Sequence, residues 1–191
     1  NCAILLFFKY ANFFGTTLND VAHFFGWTVT VPHLNLFLPL GISFYTFSII
    51  SSSIDIYRHQ TEPERHLGKY ALFVAFFPRV LAGPIERARQ FLPQLSATQS
   101  FDWARITFGL KLVVWGFFKK IVIADRLALF VDPVFANPSG YDGLSLTMAS
   151  LFYTCQLYAD FSGYTDIAIG CSHILGFTIA DNFNRPYGAT S

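Results

Sequence analysis

A chain of 191 residues that is 53% hydrophobic, 18% aromatic and 13% charged, with a mean hydropathy of +0.42, carries about half the charge share of a soluble domain. Its 23 phenylalanines present more aromatic surface than a soluble fold of this size keeps from water, so composition points to a membrane, with lipid as a contacting partner. The net charge of +1, with basic residues confined to short polar breaks, argues against a nucleic-acid surface, which needs a clustered basic excess.

Residues 2–14 read as the tail of a membrane helix, too short to span alone because a span takes roughly 20 residues. Gly15 to Pro32 mixes Thr, Asn, Asp and Gly with aromatics, which predicts a loop with an interfacial stretch around His23 to Trp27. Leu34 to Tyr57 is the best complete span: it has no charge before Asp55, and Tyr57-Arg58 forms an interfacial anchor pair. Pro39 and Gly41 lie inside it, and such breakers are tolerated where neighbours satisfy the freed backbone groups.

His59 to Lys69 is an aqueous loop. Tyr70 to Ala82 is apolar apart from Pro78-Arg79, too short for a straight span, and stopped by Gly83-Pro84. Ile85 to Ser100 is polar with spaced apolar residues, which suits a surface or re-entrant segment. Phe101 to Ala124 predicts a second membrane helix, capped by Asp102 and interrupted at its far end by Lys119-Lys120.

Asp132 to Gly143 is a turn-rich loop. Leu144 to about Gly170 is the third long apolar stretch, and residues 171–191 turn polar. The fold class expected is all-α: a polytopic transmembrane helical bundle with broken or re-entrant helices. Without repeats, low complexity or linkers, residues 1–191 are expected to form one partial domain. Both ends look cut, since the chain starts at Asn1 inside an apolar run and ends at Ser191 without a stop signal.

The third stretch holds the most chemistry. A carboxylate inside a membrane costs several kcal/mol unless it is protonated, paired or hydrated, so such residues default to functional candidates. On a helix Gln156, Asp160 and Tyr164 share one face, and Tyr158, Ser162 and Asp166 form a second stripe. Gly163 and Gly170 would admit a neighbouring helix closely. The stripes suit a polar cavity that binds substrate or lines a tunnel; the alternative is a structural network pinning helices together.

A second constellation runs from Phe77 to Arg89, where Gly83-Pro84 breaks the helix as charges appear. A broken element lining an aqueous path gives this pattern. Arg79, Arg87 and Arg89 would then meet phosphate or carboxylate groups, the alternative being interfacial arginines beside headgroups.

Three cysteines, Cys2, Cys155 and Cys171, make no disulfide framework and read as small buried hydrophobes. Cys171-x-His173 lacks a second ligand pair, so no metal site is expected. The histidines, His23, His33, His59, His66 and His173, stand in no nucleophile–base spacing.

Several segments together resemble one family. They are Leu38-Pro-Leu-Gly-Ile-Ser-Phe-Tyr-Thr-Phe47, Ile54-Asp-Ile-Tyr-Arg58, Phe76-Phe-Pro78 through Ala82-Gly-Pro-Ile85, and Phe91-Leu-Pro-Gln-Leu95. Gly116-Phe-Phe-Lys-Lys-Ile-Val-Ile-Ala-Asp125, Gln156 to Gly170 and Asn182-Phe-Asn184-Arg185-Pro-Tyr187 complete the series. In this order they are similar to the membrane-bound O-acyltransferases, in the branch of the alginate O-acetyltransferases. Thr165 stands where the family commonly has Ser.

The resemblance implies acyl transfer in a multi-pass protein of the bacterial cytoplasmic membrane. A histidine would deprotonate an acceptor that attacks an activated acyl group. It implies no bound cofactor, an acyl donor such as acetyl-CoA or another acyl thioester, an exopolysaccharide such as alginate as final acceptor, and an extracytoplasmic acetyltransferase as partner. It adds Asn182, Asn184 and Arg185 to the candidate tunnel-lining residues. The family's catalytic histidine, in a Trp-x-x-Trp-His element, is expected beyond Ser191, so no catalytic residue is assigned and residues 1–191 are expected to be inactive alone. Alternatives are teichoic acid D-alanylation, peptidoglycan O-acetylation, or a polytopic transporter. The transporter reading shares the intramembrane charges but does not account for the ordered motifs.

Overall fold

Two aspartates start the helices on which the rest of the chain is assembled. The Asp102 carboxylate accepts from the backbone N–H of Ala104 at 2.9 Å and Arg105 at 3.4 Å, satisfying donors that a helix start leaves orphaned. Asp142 does the same for Ser145 at 3.1 Å. The structure, a computed structural model, describes residues 2–28, 30–37, 39–81, 83–183 and 186–188.

Seven α-helices lie among the described residues: α1 (Cys2–Phe24), α2 (Ile42–Tyr57), α3 (Leu67–Val74), α4 (Ala88–Ser96), α5 (Trp103–Phe117), α6 (Asp125–Ala136) and α7 (Gly143–Leu175). A π-helical stretch, Phe118–Ala124, joins α5 to α6 without a break. Short 3-10 turns cover Pro138–Gly140 and Pro186–Gly188. The fold is all-α, with no strand among the described residues.

The N-terminal expectation needs correction. The predicted loop from Gly15 is helical as far as Phe24, so α1 has 23 residues and is about 35 Å long. Its asparagines explain why polar residues sit there. Asn12 exchanges two hydrogen bonds with the backbone of Leu34, both 2.8 Å, and Asn19 does so with Val31 at 2.9 and 2.6 Å. Two side chains seven positions apart thus clamp an extended return segment along the helix, and Gly15 gives it room beside Val31.

The second expected span is half right. Residues 34–37 and 39–41 are not helical, and α2 begins at Ile42. Pro39 offers no N–H, and Gly41 takes φ 72, a left-handed conformation. A Cβ on Gly41 would stand 2.1 Å from the Val80 carbonyl oxygen, so this glycine also lets the backbone after α3 pass. The expected Phe101–Ala124 helix continues through the π-helical stretch into α6. The expected Leu144–Gly170 helix, α7, runs 33 residues to Gly176, whose φ of 95 ends it.

α5 and α7 pack antiparallel at two glycine pairs. A Cβ on Gly109 would lie 2.6 Å from the Gly170 carbonyl oxygen, and one on Gly116 would lie 2.5 Å from that of Gly163; the converse substitutions meet the same obstruction. Small residues in this register let helix backbones meet. A second cluster of Phe73, Phe76, Phe91, Ala168, Ile169 and Ile179 ties α3 and α4 to the end of α7.

Outside these contacts the surface is strongly apolar: Phe13, Phe24, Phe37, Trp103, Val114 and Leu129 are all exposed. No helix of the described residues is both long and apolar enough to cross a membrane. α2 and α5 are short, and α7 is long but interrupted by Gln156, Asp160, Asp166 and His173.

Overpacking the glycine contact tests this architecture. Gly163→Leu should destabilise the protein by roughly 1–3 kcal/mol, read as a lower melting temperature in detergent. Gly143→Ala, whose Cβ would meet nothing within 4 Å, should leave melting unchanged.

Candidate functional site

The glycine contact places charges. A Cβ on Gly163 would stand 3.1 Å from both the Lys119 Cβ and the Lys120 backbone nitrogen, so the Lys119-Lys120 backbone lies directly across Gly163. The two side chains descend on opposite sides of α7. Lys119 Nζ donates to Asp166 Oδ2 at 2.6 Å. Lys120 Nζ lies 2.5 Å from Asp160 Oδ1 and 3.0 Å from Asp125 Oδ1.

The two pairs differ in setting. The Lys119 and Asp166 side chains are 16% and 18% exposed, those of Lys120 and Asp160 43% and 50%. In water a pair as open as the second contributes about 0–1 kcal/mol to stability.

α7 presents three faces. Gly163, Asp166 and Gly170 meet α5 and the π-helical stretch. Thr154, Tyr158, Phe161 and Thr165 receive the C-terminal run. Tyr158 lies 5.8 Å from the Phe183 ring and 5.6 Å from Tyr187, and Phe161 lies 5.1 Å from Phe183. The Tyr187 hydroxyl donates to the Thr154 carbonyl at 2.7 Å. The third face, Leu157, Asp160, Tyr164 and Ile167, opens with Phe44 and Lys120 into a cleft of about 510 Å³. Phe161 borders both the cleft and the C-terminal run.

The expected stripes are therefore divided. Asp160 and Tyr164 line the cleft, and the Tyr164 hydroxyl is 3.5 Å from the Pro78 carbonyl. Gln156 lies outside it, with a buried Oε1 that has no hydrogen-bond partner among the described residues. Ser162 is 1% exposed and its Oγ is likewise unpartnered. Tyr158 and Asp166 serve the other two faces. Asn182 Nδ2 reaches Thr165 Oγ1 at 3.5 Å; Asn184 and Arg185 lie outside the described residues.

The arginines do not converge on this cleft. Arg79 is buried at 4% exposure, between the rings of Phe73 (4.7 Å) and Phe91 (5.4 Å). Its guanidinium donates to the Phe73 carbonyl and to Ser48 Oγ at 3.4 Å. Neither an aqueous path nor a headgroup layer describes it. Arg87 instead meets the buried Asp55 carboxylate at 3.6 Å, and Arg89 is exposed on α4.

Buried Glu86 accepts from the Ala180 N–H at 2.8 Å, and Gln94 makes two bonds to Thr178, 2.9 and 2.8 Å. These fix the path of the C-terminal run. The cysteine expectation is corrected: Cys155 is exposed and Cys171 half-buried, so neither is a fully buried hydrophobe.

Sequence reasoning missed Lys120, Phe44 and Asp125, having read Lys119-Lys120 as a helix interruption. A signal was present. Gly109 and Gly116, and Gly163 and Gly170, repeat the same seven-residue spacing in two apolar runs, which marks a close helix contact; its antiparallel sense, which faces the lysines toward the aspartates, comes from the structure.

Glu86→Ala should raise amide exchange at Ala180 about tenfold or more, since a hydrogen bond to a charged acceptor contributes about 1.5–3 kcal/mol. Hydrogen–deuterium exchange resolved to residues 177–181 checks this, and unchanged exchange would assign that amide another acceptor.

Residues 64–189 match the profile of MBOAT, the membrane-bound O-acyltransferase family. The chain is 43% identical over 187 residues to the probable alginate O-acetylase AlgI of Pseudomonas aeruginosa, covering 96% of this chain and 35% of that protein. It is 36% identical to the peptidoglycan O-acetyltransferase of Helicobacter pylori, over 99% of this chain and 40% of that one. It is 28% identical to the teichoic acid D-alanyltransferase of Bacillus subtilis, over 82% and 40%. The chain thus spans well under half the length of these curated relatives. On the family match and the 43% identity, this chain belongs to the membrane-bound O-acyltransferase family.

Proposed function

We propose that the full-length protein is an O-acyltransferase, multi-pass in the bacterial cytoplasmic membrane, that supplies acetyl groups for the hydroxyls of an exopolysaccharide such as alginate. The observation that carries this reading is the 43% identity to the probable alginate O-acetylase over 96% of the chain. Alginate is favoured over peptidoglycan because the peptidoglycan O-acetyltransferase is 36% identical.

The chemistry is nucleophilic acyl substitution. An acceptor hydroxyl oxygen attacks the carbonyl carbon of an acyl thioester such as acetyl-CoA, and the carbon–sulfur bond breaks. The proton lost by the hydroxyl passes through a base to the leaving thiolate. In the cleft, Phe44, Leu157, Phe161 and Ile167 supply apolar walls, and Lys120, Asp160 and Tyr164 supply the polar groups. This matches the usual ligand-site chemistry of apolar lining with a few placed polar groups. The cleft side chains bind and orient; the base is the histidine of the family's Trp-x-x-Trp-His element. An extracytoplasmic acetyltransferase is the partner expected for transfer to the finished polymer.

The membrane setting accounts for the apolar exterior. Exposed Val114, Leu129 and Leu151 would cost nothing against hydrocarbon. At about 50 Å, α7 is longer than the hydrocarbon thickness of about 30 Å, and its polar residues Gln156, Asp160 and Asp166 lie near its middle.

Asp160→Ala in the full-length protein should lower acetyl ester content of the secreted polymer by about tenfold or more, with protein level within about twofold of wild type. Ester quantification beside immunoblotting of membranes checks it. Equal loss of both would assign Asp160 to folding, and a wild-type strain whose polymer carries no acetyl ester dependent on this gene would overturn the function.

A further inference from the structure

Two lysine–aspartate pairs flank the Gly163 contact, chemically alike and differently placed. Lys119–Asp166 is shut between the π-helical stretch and α7, its side chains less than one-fifth exposed. Lys120–Asp160 forms the polar end of the cleft, and its carboxylate stands among Phe44, Leu157, Phe161 and Ile167. We propose that Lys120 is a positioning residue that holds the Asp160 carboxylate in the cleft to accept a hydrogen bond from an acceptor hydroxyl, while Lys119–Asp166 is a structural strut. This rests on the acyl-transfer reading above and names the ligand group that the cleft takes.

Charge selects that group. In the cleft lining Lys120 faces Asp160, and Asp125, outside the lining, gives Lys120 a second carboxylate, so the group of three is net negative. A phosphate or carboxylate is repelled there, and a neutral hydroxyl donor is favoured. Apolar walls beside one carboxylate suit a sugar ring, whose C–H faces pack on aromatic side chains while its edge donates.

Backbone geometry supports a device rather than a chance surface pair. Lys119 and Lys120 stand in a π-helical stretch within an otherwise continuous helix; such departures are rare and concentrate at functional sites. Sharing Lys120 between two carboxylates leaves Asp160 anchored without enclosing it, so a hydroxyl can still approach. Asp166, against Lys119 on the far side of Gly163, has no access to the cleft.

The test uses the full-length enzyme together with its extracytoplasmic acetyltransferase partner in membrane vesicles with labelled acetyl donor and polysaccharide acceptor, and rates are taken per folded protein. Asp160→Asn and Lys120→Met should lower kcat/KM for the acceptor about tenfold or more, with donor KM within about twofold, and Lys120→Arg should recover most of the loss. Charge exchange separates positioning from mere pairing. Lys119→Asp with Asp166→Lys should return kcat/KM to within about threefold of wild type, whereas Lys120→Asp with Asp160→Lys should restore accumulation but not rate. Recovery of rate in the second exchange would overturn the proposal. Where either exchange fails to accumulate, the isosteric variants decide: equal loss per folded protein in Asp160→Asn and Asp166→Asn would also overturn it. A wild-type protein that transfers no acetyl group to any polymer would instead remove the acyl-transfer reading, and this inference with it.

Discussion

The close approach of α5 and α7 at two glycine pairs is the constraint on which the rest of the structure depends. Gly109 meets Gly170 and Gly116 meets Gly163, backbone to backbone. Any side chain there would push the helices apart by more than the length of a hydrogen bond tolerates. With the contact made, the Lys119-Lys120 backbone lies over Gly163, and each ammonium reaches a carboxylate on its own side of α7. The cleft is a consequence, since its polar end is the pair on one side of that contact.

Three buried charges among the described residues have compensating neighbours in place, although Arg79 Nε and Asp55 Oδ2 keep no hydrogen-bond partner there. Arg79 has a backbone carbonyl, Ser48 and two aromatic faces. Glu86 has a backbone N–H, and Asp55 has Arg87. An uncompensated ion in such surroundings would cost several kcal/mol. These groups hold the bent segment between α3 and α4 and the C-terminal run. They differ from Lys120 and Asp160, which are paired but open to the cleft.

Family membership and this geometry fit together. A membrane-bound protein can leave Trp103, Leu129 and Leu151 exposed because hydrocarbon accepts them, and its helices then associate through small residues and polar links rather than burial. The glycine pairs and the lysine–aspartate pairs are such contacts. α7 carries Gln156, Asp160 and Asp166, and polar groups of this kind in an apolar setting are costly unless paired or hydrated.

Much of this was determined by sequence alone. The all-α class, the cap at Asp102 and a helix from Leu144 to Gly170 follow from local rules, since helical periodicity and side-chain capping depend on residues within a turn of one another. The cap at Asp142 and the stop at Gly176 are as local, but the sequence pattern puts Asp142 in a loop and ends the helix at about Gly170. The family followed from motifs in order. The tertiary structure alone decided what lies across from each residue. α1 extends past Gly15 because Asn12 and Asn19 bind a segment that returns from residues 31–34. Residues 39–41 stay out of α2 because Gly41 must pass the Val80 carbonyl. Arg79 turned inward to the Phe73 and Phe91 rings, and Asp160 and Asp166, six residues apart on one helix, were assigned to an open cleft and a closed contact. The physical reason is the same in each case: the partner is distant in the chain, so the energy that places the residue belongs to a pairing that local pattern cannot contain.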